Sequence, residues 1–177
     1  MKNKKFTAGD KFPEMTLQKV GGGELKLGHP LNGHDWQMVV IYRGKHCPMC
    51  TKYLTQLERL KDRFYETGVD VVAVSADDET KASSHVDEMS LSFPVAYGLS
   101  VEQMQALGLY ISHPRSPEEA DGPFAEPGIY VVNDKGQVQV TDVSNAPFAR
   151  PELAYLASGV KYIRDPENNY PIRGTFE

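Results

Sequence analysis

Cysteine is nearly absent from this chain of 177 residues: only Cys47 and Cys50 occur. Two thiols cannot build a multi-bridge disulfide framework. A bridge between them would close a tiny loop and remove little unfolded-state entropy, which argues against a structural staple. No apolar run approaches the roughly 20 residues of a transmembrane helix, so no membrane partner is expected. "MKNKKFTAGD" carries basic residues but no apolar stretch behind them, so it does not read as a secretory leader. The expected location is cytoplasmic, where thiols stay reduced. Positive charge is not in surplus either. The net charge of −5 gives no reason to expect nucleic acid as a partner. Internal repeats, coiled-coil heptads and low-complexity tracts are all missing.

What is present reads as an ordinary globular chain, 40% hydrophobic and 24% charged, long enough for one domain with a proper core. "GDKFPEMTLQ" and "GGGELKL" read as two short extended pieces around a glycine turn. "WQMVVIYRG", residues 36–44, has the continuous apolar centre of a buried strand. Leu54, Leu57, Leu60 and Phe64 then form the apolar stripe of a helix, with Gly68 as a natural stop. "VDVVAVSA", residues 69–76, is a second buried strand. Residues 79–91 suit an exposed helix, "FPVAYG" a short extended piece, and "SVEQMQALGL" a short helix capped by Ser100. The proline-rich stretch 110–127 reads as an irregular loop. "GIYVVNDKGQVQVTDV" reads as a hairpin turning at "NDKG". "RPELAYLASGVKYI" is a last helix with Pro151 in its first turn, followed by an extended tail. This order suggests an α/β sheet with helices on both faces.

The two cysteines lie in "VVIYRGKHCPMCTKYLTQL", where the first long strand gives way to a helix. Pro48 suits the first helical position, because its missing N–H would have no partner there. Cys47 then sits at the helix N-terminus, facing free N–H groups and the positive end of the dipole. Arg43, Lys45 and His46 can add positive charge. Both effects lower a thiol pKa, and the thiolate is the nucleophile. Cys50 follows one turn inward, within reach of Cys47 but more sheltered. Cys47 is therefore expected to be the exposed attacking thiol and Cys50 the thiol that resolves its adduct. A zinc site needs about four ligands. There is no second C-x-x-C, and His29, His34, His46, His85 and His113 show no paired spacing, so no metal is expected. Inert buried thiols remain the bland alternative, against which stands a C-x-x-C in a βαβ pattern.

At these residues the chain resembles the AhpC/TSA peroxiredoxin-like family of the thioredoxin-fold redoxins. The likeness spans most of residues 8–164. It rests on "GDKFPEMTL" with "GGGELKL", on "VVIYRGKHCPMC", on "VDVVAVSADD" with "FPVAYGLSVEQMQALGL", and on "PGIYVVNDKG", in that order. The resemblance implies a thioredoxin fold: a central mixed β-sheet flanked by helices, with an N-terminal extension. It implies a thioredoxin-like domain over 1–164 and an extended C-terminal tail over 165–177. The sequence also departs from the family. Typical peroxiredoxins place a threonine three residues before the nucleophile, here Gly44. They place an arginine at the start of the late core strand, here Pro127. Thioredoxins have a cis-proline at that position and a buried acid six residues before the first cysteine, here Ile41. Pro127 in a cis bond would expose the backbone of Glu126 to a bound substrate strand.

The expected function is a thiol–disulfide oxidoreductase with an antioxidant, redox-homeostasis role. Cys47 is the nucleophile and Cys50 the resolving thiol, while Pro127, Glu126, Arg43 and His46 serve substrate binding or pKa tuning. Arg43 could steady the thiolate or a peroxide oxygen, or be a solvated strand-end charge. His46 could tune Cys47 or be a rim residue. Arg150, before the last helix, could be functional or a helix-start charge. A thiol peroxidase acting on hydrogen peroxide or organic hydroperoxides is the alternative enzyme. A redox-sensing binding module is the alternative outside enzymes. No cofactor is expected, since a thioredoxin-like protein or glutathione can supply reducing equivalents. The loop 110–127 is expected beside the site. The apolar tail is expected to pack on its own core or in a homodimer.

Overall fold

The two apolar runs become adjacent parallel strands in the computed structural model, which describes residues 5–177. They are β3 (Trp36–Ile41) and β4 (Val69–Val74), paired from Trp36↔Val69 to Ile41↔Val74. Two earlier strands, β1 (Thr16–Gln18) and β2 (Glu24–Lys26), form a separate antiparallel hairpin. The main sheet is completed by β5 (Val95–Ala96), β8 (Gly128–Val132) and β9 (Val138–Val143), in the order β5-β4-β3-β8-β9. β8 runs antiparallel to β3, and β9 antiparallel to β8. The sheet is therefore mixed, and the architecture is a thioredoxin fold with an N-terminal extension.

Alternation along β3 divides the core into two. Trp36, Met38 and Val40 face a cluster shared with the helices α1 (Pro48–Tyr65) and α4 (Leu153–Arg164). Val39 and Ile41 face the opposite cluster, with Leu17 and Leu25 of the hairpin and Met104 of α3 (Val101–Ala106). Side chains in a strand alternate between faces. A strand covered on both faces is mostly apolar, and all six residues of β3 are buried; its one polar side chain, Gln37, is hydrogen-bonded to Gly28, His29 and Asp70. Along α1, Leu54, Leu57 and Phe64 are buried. Each such side chain stabilises the fold by about 1.5–3 kcal/mol.

Four local expectations need correction. The helix expected over 79–91 is α2 (Glu79–Met89), closed by Ser90 in the left-handed conformation. The loop 110–127 contains a short antiparallel pair, β6 (Ile111–Ser112) with β7 (Phe124–Ala125). Pro151 lies outside α4, whose N-cap is Glu152. The tail contains a 3-10 turn at Pro166–Asn168. It then returns to the chain's own start, where Thr175 packs on Gly9.

Candidate active site

Cys47 is the N-cap of α1 and Pro48 its first residue, as the strand-to-helix reading requires. The Cys50 backbone N–H donates to Cys47 Sγ at 3.2 Å, so the sulfur takes the place of the usual capping oxygen. The approach to the helix is fixed from below. Gly44 has φ +134°, and a Cβ there would lie 2.6 Å from Asp77 Oδ1. Asp77 Oδ2 in turn accepts the Lys45 N–H at 2.8 Å. Only glycine leaves room for this close approach.

The two thiols are electrostatically unlike. The Cys47 pKa is lowered, first by the Cys50 thiol, which donates to its thiolate, then by the Cys50 N–H and by Arg43. Burial opposes this but does not prevail. The Cys50 pKa is raised, first by serving as that donor and then by burial. The two sulfurs, one helical turn apart, thus depart from an ordinary thiol in opposite directions.

Arg43 is positioned by Glu126. Its Nε donates to Glu126 Oε1 at 3.2 Å and lies 3.1 Å from Oε2. Ser112 Oγ donates to the same Oε1 at 2.9 Å. The guanidinium also lies over the Phe124 ring, 4.9 Å from its centroid. Glu126 is 4% exposed, so this pair works where charge is little screened. Glu126 therefore touches the site through its carboxylate, whereas sequence reasoning had given its backbone the role. Its own N–H is already committed to Tyr110 O at 2.8 Å.

Three other expectations are overturned. Cys47 is only 1% exposed, because it packs in the cluster that the sheet shares with α1 and α4. Pro127 is trans, since no described residue follows a cis bond. The chain runs straight from β7 into β8, and Pro127 O accepts the Ser144 N–H at 3.1 Å. Lys45 turns away to Ser84 Oγ at 2.8 Å and to Glu88 at 3.3 Å. His46 packs edge-on against Phe124 with centroids 4.6 Å apart. Burial, then Arg43, lower its pKa, which favours the neutral ring over a positive charge beside Cys47. Residues 120–124 do border the site as expected. With Arg43, His46, Asp77 and Lys81 they line a cleft of about 260 Å³.

Sequence reasoning left one residue undecided that the fold brings in. Arg150 Nη1 lies 3.5 Å from Cys50 Sγ. Nothing local marks it, because it is 100 residues away along the chain.

The Redoxin family model matches residues 7–156. The chain is 27% identical over 103 residues to the thiol-disulfide oxidoreductase ResA of Halalkalibacterium halodurans, covering 58% of this chain and 57% of that relative. It is 24% identical over 162 residues to alkyl hydroperoxide reductase C of Mycolicibacterium smegmatis, covering 82% and 78%. Among solved structures, AhpC of Mycobacterium tuberculosis superposes with a TM-score of 0.73 at 19% identity, over 93% of this chain and 96% of that one. No described helix is long and apolar enough to cross a membrane.

Proposed function

The chain belongs to the Redoxin family, and from that premise we propose that it is a thiol–disulfide oxidoreductase in which Cys47 attacks and Cys50 resolves. The observation that carries this reading is the placing of two sulfurs one helical turn apart, with Cys47 as the cap of α1 and the Cys50 N–H donating to its Sγ at 3.2 Å. A thiolate at Cys47 attacks a disulfide and forms a mixed disulfide. Cys50 then attacks Cys47 Sγ and expels the second thiol. The resulting Cys47–Cys50 disulfide is reopened by an external thiol, from a thioredoxin-like protein or glutathione. Every electron in this cycle comes from sulfur, so the chemistry needs no bound cofactor.

A second reading, thiol peroxidase, has its own support. A peroxidase needs donors placed on the oxygen that becomes negative. Gly44 and Pro127 provide no side-chain donor, but Arg43 stands beside Cys47, held by Glu126. The near-closure of Cys47 also favours a small substrate over a protein one. Both reactions converge on the same internal disulfide and differ only in the first step.

Steady-state turnover with peroxide and with a small disulfide, measured side by side, tests the proposal. Disulfide exchange is expected to be faster. Cys50→Ser should trap an adduct on Cys47, and Cys47→Ser should abolish activity. Fast peroxide turnover that collapses in Arg43→Ala, with negligible disulfide exchange, would make the peroxidase reading correct.

A further inference from the structure

The environment of Cys50 poses a problem for any two-thiol cycle. Its pKa is raised by its hydrogen bond to Cys47 and by burial, yet it must become a thiolate to resolve. Thioredoxins have a buried acid six residues before the first cysteine. Here that residue is Ile41, fully buried and unable to take a proton. The side chains that bear on Cys50 are Cys47, Arg150 and Tyr42, and the Arg43 backbone N–H also favours its thiolate. The Arg43 guanidinium is engaged by Glu126 and Cys47.

Arg150 is differently placed. Its guanidinium stacks over Tyr53 at 4.3 Å from the ring centroid, and its Nη1 reaches Cys50 Sγ at 3.5 Å. The Tyr53 hydroxyl donates to Pro151 O at 2.6 Å, tying the segment before α4 to α1. The Arg150 Nε is buried without a hydrogen-bond partner. Among the described residues no carboxylate forms an ion pair with Arg150. Arg164 offers the contrast. It also stacks on an aromatic ring, that of Trp36, but it is neutralised by Asp35 at 2.6 Å. A packing arginine can carry its counter-ion. Arg150 faces a sulfur in that place.

We propose that Arg150 is a catalytic residue of the resolving step, where its uncompensated guanidinium stabilises the Cys50 thiolate. The proposal rests on the assignment of Cys47 as nucleophile and Cys50 as resolver. In that step Cys50 loses its proton, and its sulfur bonds to Cys47 Sγ. The bond from Cys47 to the substrate sulfur breaks, and the departing thiolate takes up a proton. The substrate disulfide gains two electrons in all, and the cysteine pair gives them up. Arg150 accepts no proton. It supplies positive charge where Cys50 becomes negative, which low local polarity makes effective. The two guanidinium groups then serve different sulfurs, that of Arg43 Cys47 and that of Arg150 Cys50, while the Arg43 backbone N–H also reaches Cys50.

The test uses an aromatic disulfide whose thiolate product is coloured, mixed with the reduced protein in stopped flow. The wild type releases one equivalent as Cys47 attacks and a second as Cys50 resolves. Arg150→Met should leave the first phase intact and slow the second about tenfold at neutral pH, the scale of a hydrogen bond to a charged group. The pH midpoint of the second phase should rise, and Arg150→Lys should restore part of the rate. An unchanged second phase in Arg150→Met overturns the proposal while leaving the two-cysteine reading standing. A wild type that releases only one equivalent overturns both. Should Arg150→Met fail to fold, Arg150→Gln, which removes the charge but keeps a polar side chain, carries the test: a slower second phase after a normal first phase supports the role, and a wild-type second phase overturns it.

Discussion

Replacing Cys50 with alanine should raise the pKa of Cys47, although Cys47 itself is untouched. The Cys50 thiol is the largest influence lowering Cys47, ahead of the Cys50 N–H and Arg43. Alanine removes the S–H donor but keeps the backbone N–H, which lies 3.2 Å from Cys47 Sγ. A hydrogen bond to a charged group contributes about 1.5–3 kcal/mol. One pKa unit corresponds to about 1.4 kcal/mol. The expected rise is therefore about one to two units from a starting value of about 6. Cys50→Ser keeps a hydroxyl donor at the same position and should shift Cys47 much less. Each variant has a single thiol, so the rate of alkylation against pH reports Cys47 alone. Equal midpoints in the alanine and serine variants would refute the reasoning and assign the acidity to the helix terminus and Arg43.

Three further outcomes are expected. Gly44→Ala should destabilise the protein by about 2 kcal/mol or more, since its φ of +134° disfavours a side chain and Asp77 occupies the space; an unchanged urea midpoint would contradict this. Glu126→Gln should loosen Arg43 and slow alkylation of Cys47 about tenfold at mildly acidic pH, through a weaker charge-assisted bond; a wild-type rate profile would show that Arg43 needs no anchor. The reduced protein should grow more stable as pH rises. Cys47 titrates at about 6 when folded against an ordinary value of 9.0, so between these values the unfolded chain binds the extra proton. That stability is fully present only above the ordinary value and is lost as pH falls through about 6. The upward shift of Cys50 acts oppositely above its ordinary value. Urea unfolding of Cys47→Ser, with reductant present, should show no such slope below pH 9.

What was legible in the sequence was local or periodic. Pro48 marked the first turn of α1, and that placed Cys47 as its cap. The apolar centres of β3 and β4, Met38–Ile41 and Val71–Val74, announce strands covered on both faces. The surroundings of the cysteines were less legible because they come from distant segments. Phe124 and Glu126 reach Arg43 only after β7 pairs with β6. Cys47 itself is packed in the cluster between the sheet, α1 and α4, whereas dipole and capping arguments place it in the open. A trans bond at Pro127 could not be read from spacing, because either isomer fits a proline at a strand entry. Lys45 sat in the right stretch of sequence, but α2 offered it Ser84 and Glu88.

The separation of 100 residues between Cys50 and Arg150 also sets an order of events during synthesis. A growing chain is made at about 5–20 residues per second, so Arg150 joins it roughly 5–20 seconds after Cys50. Phe124 and Glu126 come late as well, and β8, which pairs with β3, follows them. Through most of that interval the chain lacks Phe124 and the carboxylate that anchors Arg43, and Arg150 is still to come. The groups that lower the Cys47 pKa most, the Cys50 thiol and N–H and Arg43, lie within the same short stretch. The acidity of Cys47 is thus encoded locally, while the cation that faces Cys50 arrives last.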